Sequence, residues 1–112
     1  MIYLLEFKVG ENEYRPYEID QVVDYALDLK NFHKESIDKP IVPILVSTNA
    51  VSVENVEQFS RDLISLPILC NKENLRDTII NISSKYNLTD IDCNKWINSP
   101  YSPTPTIIEA AQ

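Results

Sequence analysis

The chain contains a single glycine, Gly10, a single histidine, His33, and only two cysteines, Cys70 and Cys93. One glycine rules out the G-x-x-x-x-G-K-[S/T] loop that cradles nucleotide phosphates on backbone amides. The cysteines have neither C-x-x-C spacing nor a neighbouring histidine, which argues against a zinc site or a disulfide framework and reads as two reduced thiols. No apolar run is long enough to span a bilayer, and the opening Met1-Ile-Tyr-Leu-Leu5 is too short for a secretory leader. The expectation is a cytoplasmic protein with no membrane partner. Basic residues are also scarce, ten Lys and Arg against seventeen Asp and Glu, for a net charge of -7. Autonomous binding of nucleic acid needs clustered cations against phosphates, so this balance argues against it.

What the chain does have is enough apolar material for one core: 112 residues, 44% hydrophobic and 24% charged. Its organising stretch is Ile2-Tyr-Leu-Leu-Glu-Phe-Lys-Val9, rich in branched and aromatic residues and closed by Gly10, which predicts a buried β-strand. Side chains alternate along a strand, so Glu6 and Lys8 share a face with Ile2 and Leu4, while Leu5, Phe7 and Val9 take the other. A carboxylate and an ammonium at the end of an apolar strand are costly to bury without partners.

A helix is predicted from about Glu18 to about His33. Ile19, Val22, Val23, Ala26 and Leu27 give it one apolar stripe, and Gln21, Tyr25, Leu29 and Phe32 an adjoining one. Asp20, Asp24 and Asp28 form a third stripe, which reads as a solvated acidic face and not as a metal ladder. Ile41-Val-Pro-Ile-Leu-Val-Ser-Thr48 predicts a second strand, with Pro43 suggesting an edge position or a later start. Strand, helix and strand with short connections make a βαβ unit with parallel strands.

Val51, Val53 and Val56 hint at an extended segment, and a short third strand is expected around Pro67. Asn71 is a good N-cap for a helix from Lys72 to about Tyr86, with Leu75, Ile79, Ile82 and Tyr86 on one side. A short helix over Asp90 to Asn98 would bury Trp96 and Ile97. Pro100, Pro103 and Pro105 then mark a stiff linker, after which Thr104 and Pro105 suit the start of a helix running to Gln112. The fold class expected is α/β, a small mixed sheet with flanking helices. Because the chain opens in a strand and closes in what reads as the first turn of a helix, a fragment of a larger protein is expected.

Glu6-x-Lys8 alone is weak, since a triple of this kind arises by chance about once in a chain of this length, and Asp28-Leu-Lys30 is a decoy within the chain. Context strengthens it. The helix that follows carries Gln21-Val-Val-Asp-Tyr25, and one helical turn puts Gln21 and Tyr25 on the same side.

A strand ending in Glu-x-Lys, then a helix with Q-x-x-x-Y, then a hydrophobic strand resembles the PD-(D/E)XK nuclease superfamily in its RecB-like branch. The runs Tyr25-Ala-Leu-Asp-Leu through Ile41-Val-Pro-Ile-Leu-Val and Ser99-Pro-Tyr through Gln112 are similar to large bacterial proteins in which a nuclease-like region precedes a P-loop, helicase-like ATPase domain. The resemblance implies a partial restriction-endonuclease-like core over residues 1–98. Residues 99–112 would then be a linker and helix start leading to an ATPase domain in cis.

It further implies that Glu6 is a carboxylate ligand of Mg²⁺ or Mn²⁺ and that Lys8 positions or activates the attacking water and offsets transition-state charge. Gln21 and Tyr25 would support the site or contact the nucleic-acid strand. The reaction would be metal-dependent phosphodiester hydrolysis, with nucleic acid as the partner of the full-length protein. In the superfamily a metal-binding Asp comes from a strand ahead of the Glu-x-Lys strand, and here only Met1 precedes it. An incomplete site, inactive by itself, is therefore expected, along with an open edge on the first strand suited to self-association. The alternative is a degenerate nuclease fold serving as a non-catalytic interaction or regulatory module, in which Glu6 and Lys8 only pair with each other. A coincidental likeness in a small α/β domain ranks last.

Overall fold

The computed structural model describes residues 1–32, 39–56, 58–86 and 106–109. Its described residues form four strands and two helices in the order β1 (Ile2–Lys8), α1 (Pro16–Phe32), β2 (Ile41–Ser47), β3 (Ile68–Cys70), α2 (Leu75–Lys85) and β4 (Thr106–Glu109). The sheet order is β3-β2-β1-β4. β1 and β2 are parallel, in register from Ile2 opposite Ile41 to Lys8 opposite Ser47, β3 is parallel to β2, and β4 is antiparallel to β1. The expected βαβ unit and mixed α/β sheet are both present.

The alternation of β1 divides the core in two. Tyr3 and Leu5 join Val42, Ile44, Val46, Ile68 and Cys70 on the face that packs Leu75, Ile79 and Ile82 of α2. Ile2 and Leu4 join Ile41 and Leu45 on the other face, against Val22 and Ala26 of α1. Burial on both faces explains the near-continuous hydrophobic runs of β1 and β2, the pattern of a sheet covered on each side. Along α1, Ile19, Val23, Tyr25 and Leu29 are partly buried beside this second cluster. Leu27 and Phe32 face solvent, and the Asp20, Asp24 and Asp28 stripe is exposed as expected.

Four expectations are corrected. Pro43 is neither at an edge nor before the strand, for β2 lies between β3 and β1. Ile41 donates its amide to Leu63 on the β3 side, so Pro43, two residues on, turns its missing donor to the same side. There it falls between the isolated Ile41–Ile64 bridge and the β3 ladder, which begins at Ile44, and no ladder bond is lost. Second, β1 is an interior strand whose edge is covered by β4 from Ile2 to Leu5, and the outer strands among the described residues are β3 and β4.

Third, residues 106–109 form that strand instead of starting a helix. Thr106, Ile107 and Ile108 are β-branched, and the unpaired side of β1 gives them hydrogen-bond partners that a solvated helix start lacks. Val51, Val53 and Val56 lie outside the strands, and isolated bridges join Phe59 to Ser65 and Ile41 to Ile64 nearby.

Fourth, α2 starts at Leu75 with Asn74, not Asn71, as its N-cap residue; Asn71 orders the turn before it, its Oδ1 accepting the amides of Glu73 and Asn74. The expected helix over 90–98, His33, Cys93 and the proline-rich 99–105 lie outside the described residues.

Candidate metal and phosphate site

Parallel strands bring their carboxyl ends to one rim of the sheet, and the antiparallel return of α1 places its first turns over that rim. Glu6 and Lys8 lie on the α1 face at the end of β1. Once the apolar contacts of Ile2, Leu4, Val22 and Ala26 fix the packing of α1, its N-terminal polar side chains meet them.

Lys8 is the hub. Its Nζ is 3.5 Å from Glu6 Oε1 and 3.8 Å from Glu18 Oε2. It donates to Gln21 Oε1 at 3.4 Å, and Gln21 Nε2 donates to Tyr25 Oη at 3.4 Å. The structure thus brings together all four residues singled out in the sequence: Glu6, Lys8, Gln21 and Tyr25. It adds one that motif reading passed over, Glu18, whose available signal was its place one helical turn before Gln21. Asp28 and Lys30 of the decoy triple take no part, since Asp28 is exposed and Lys30 donates to the Lys39 carbonyl.

The electrostatics are unbalanced. Glu6 is 5% exposed and Glu18 3% exposed, two buried carboxylates against one ammonium. Burial pushes the Glu6 carboxyl above its ordinary value, Lys8 pulls it back down through charge and hydrogen bonding, and the nearby Glu18 charge pushes it up again. The amino end of α1 partly compensates, because a helix dipole favours an acidic side chain in the first turn, where Glu18 sits.

Among the described residues three buried oxygens remain without a hydrogen-bond partner: Glu6 Oε2, Glu18 Oε1 and Ser47 Oγ. Ser47 ends β2 opposite Lys8 and, by strand alternation from Ile41 and Leu45, shares the α1 face. Unpaired buried oxygens are costly, and native proteins rarely leave them without a water, proton or ion.

Among the described residues no group of three or more His, Cys, Asp or Glu side chains is placed to hold a metal ion. Mg²⁺, however, commonly takes one or two carboxylates and completes its shell with water and phosphate, and hard oxygen donors are what this rim offers. No family model, curated protein or solved structure matches the chain. Among the described residues no helix is long and apolar enough to cross a membrane.

Proposed function

We propose that this chain carries the metal-and-lysine part of a nuclease-like site for phosphodiester hydrolysis, within a partial restriction-endonuclease-like core that belongs to a larger helicase-like protein. The observation that carries the reading is the meeting of Glu6, Lys8, Gln21 and Tyr25 at the carboxyl end of β1, with the second oxygen of Glu6 unpartnered. Glu6 would bind Mg²⁺ or Mn²⁺ through that oxygen. When bound, the cation supplies positive charge to a phosphate oxygen and lowers the pKa of a water molecule. Lys8, held by Glu6 and Gln21, orients that water and offsets charge developing on the phosphate. Tyr25, through Gln21, fixes the lysine and offers a hydroxyl to the nucleic-acid strand.

On this reading the chain alone is inactive. Among the described residues β4 stops at Thr106 opposite Leu5, so Glu6 to Lys8 have no strand beside them on that side. On the resemblance, a metal-binding Asp from a strand ahead of the Glu-x-Lys strand would complete the site, and a P-loop ATPase domain in cis would follow the chain.

The test is a cleavage assay with labelled nucleic acid on this chain and on the full product of its locus. No cleavage is expected from the chain, and Mg²⁺-dependent cleavage from the full product, lost in Glu6→Ala and in Lys8→Ala. Cleavage by the full product that survives both substitutions overturns the reading. A second reading, a non-catalytic interaction module on a degenerate nuclease fold, is favoured by the way Lys8 is already surrounded by Glu6, Glu18 and Gln21. On it both variants change stability and nothing else.

A further inference from the structure

We propose that Glu18 supplies the second carboxylate of the cation site, so that Glu6 Oε2 and Glu18 Oε1 bind one Mg²⁺ or Mn²⁺ ion from β1 and α1, with Ser47 Oγ at the end of β2 as a neutral third donor. This rests on the nuclease-like reading of Glu6 and adds to it a ligand from the helix. Each of the three oxygens is buried and unpartnered, on residues 5%, 3% and 0% exposed. Both carboxylates approach the same Lys8 nitrogen with their other oxygen, which keeps them close to each other.

Two carboxylates and one ammonium leave the rim one negative charge in excess. A buried charge of that kind is tolerated when a counter-charge occupies the site. A divalent cation fits the chemistry better than a second basic side chain would, since every unpartnered group is an oxygen. Hard oxygen donors select Mg²⁺ or Mn²⁺ over the softer metals that favour thiolate and imidazole.

The groups facing the site are Glu6 and Lys8 from β1, Glu18, Gln21 and Tyr25 from α1, and Ser47 from β2. Asp20 and Asp24 lie on the exposed side of α1 and serve as controls.

The experiment is a calorimetric titration of this chain with MnCl₂, repeated with MgCl₂, for the wild type, Glu6→Gln, Glu18→Gln, Glu18→Asp and Asp24→Asn. Circular dichroism first establishes that each variant is folded. One saturable Mn²⁺ site is expected, weakened ~10-fold or more in both glutamine variants and unchanged in Asp24→Asn. Glu18→Asp, which keeps the charge and shortens its reach, should fall between wild type and Glu18→Gln, and it decides the matter if Glu18→Gln does not fold. Wild-type affinity in a folded Glu18→Gln, or in Glu18→Asp where Glu18→Gln does not fold, overturns the proposal. If Glu6→Gln has meanwhile lost binding, the nuclease-like reading of Glu6 still stands. No Mn²⁺ or Mg²⁺ binding by the wild type overturns both.

Discussion

Lys8 Nζ and Glu18 Oε2 lie 3.8 Å apart although one side chain ends a strand and the other begins a helix. The same ammonium is shared with Glu6 at 3.5 Å, so α1 is joined to the end of β1 by charge as well as by the apolar contacts below. Lys8→Met removes the cation paired with two buried carboxylates. Such a loss is expected to cost about 3 kcal/mol, read as a lower denaturation midpoint with unchanged slope. Adding Glu18→Gln should recover much of the loss, because the two substitutions act on one network. Equal and additive costs would mean that Lys8 and Glu18 do not interact.

Glu6 gives the metal-free protein an unusual pH dependence. Its carboxyl is raised, chiefly by burial, so the folded chain holds the proton more tightly than the unfolded one. The resulting stabilisation is fully present below the ordinary value of 4.5 and is lost as pH rises through the raised value. Subtracting the profile of Glu6→Gln isolates this contribution from the other acidic groups. The stability of wild type relative to the variant should fall as pH is raised from about 4 to 7. A relative stability that rises over that range would mean the ion pair with Lys8 outweighs burial.

On the opposite face of the sheet, Tyr3 Oη and Ser83 Oγ share a buried hydrogen bond of 2.7 Å, which joins β1 to α2. Tyr3→Phe is expected to cost about 1–2 kcal/mol, and Ser83→Ala a similar amount. The double variant should cost less than the sum of the two, and a denaturant melt of the four proteins reads this directly. Strict additivity would place the two hydroxyls in independent roles.

Cys70 is fully buried in β3, and burial raises its thiol to about 11. The reactive form is the thiolate, so Cys70 should resist alkylation by iodoacetamide in the native protein and react readily in denaturant. Peptide mapping distinguishes it from Cys93. Rapid native labelling at Cys70 would contradict its place in the core.

Much of this fold was legible in the chain because its signals are local. The alternation of β1 put Glu6 and Lys8 with Ile2 and Leu4, and the structure keeps them on the α1 face. The 3.6-residue period of α1 put Gln21 and Tyr25 together, and they meet. What was hidden depends on neighbours distant in sequence. Pro43 looks like an edge residue until the gap in the β2–β3 ladder is visible. Residues 106–109 carry helix-start chemistry just before them, yet pair with β1 across the whole chain. Glu18 has the look of an ordinary acidic residue in a first helical turn, and only the packing of α1 on β1 buries it beside Lys8.

If the unpartnered oxygen of Glu6 is a cation ligand, Mn²⁺ affinity at neutral pH must differ between wild type and Glu6→Gln. A single saturable site is expected in the wild type, weakened ~10-fold or more by the substitution, with the variant still folded. Identical Mn²⁺ affinities in the two proteins would contradict it, and would leave Glu6 and Lys8 as an internal ion pair that holds a helix to a strand.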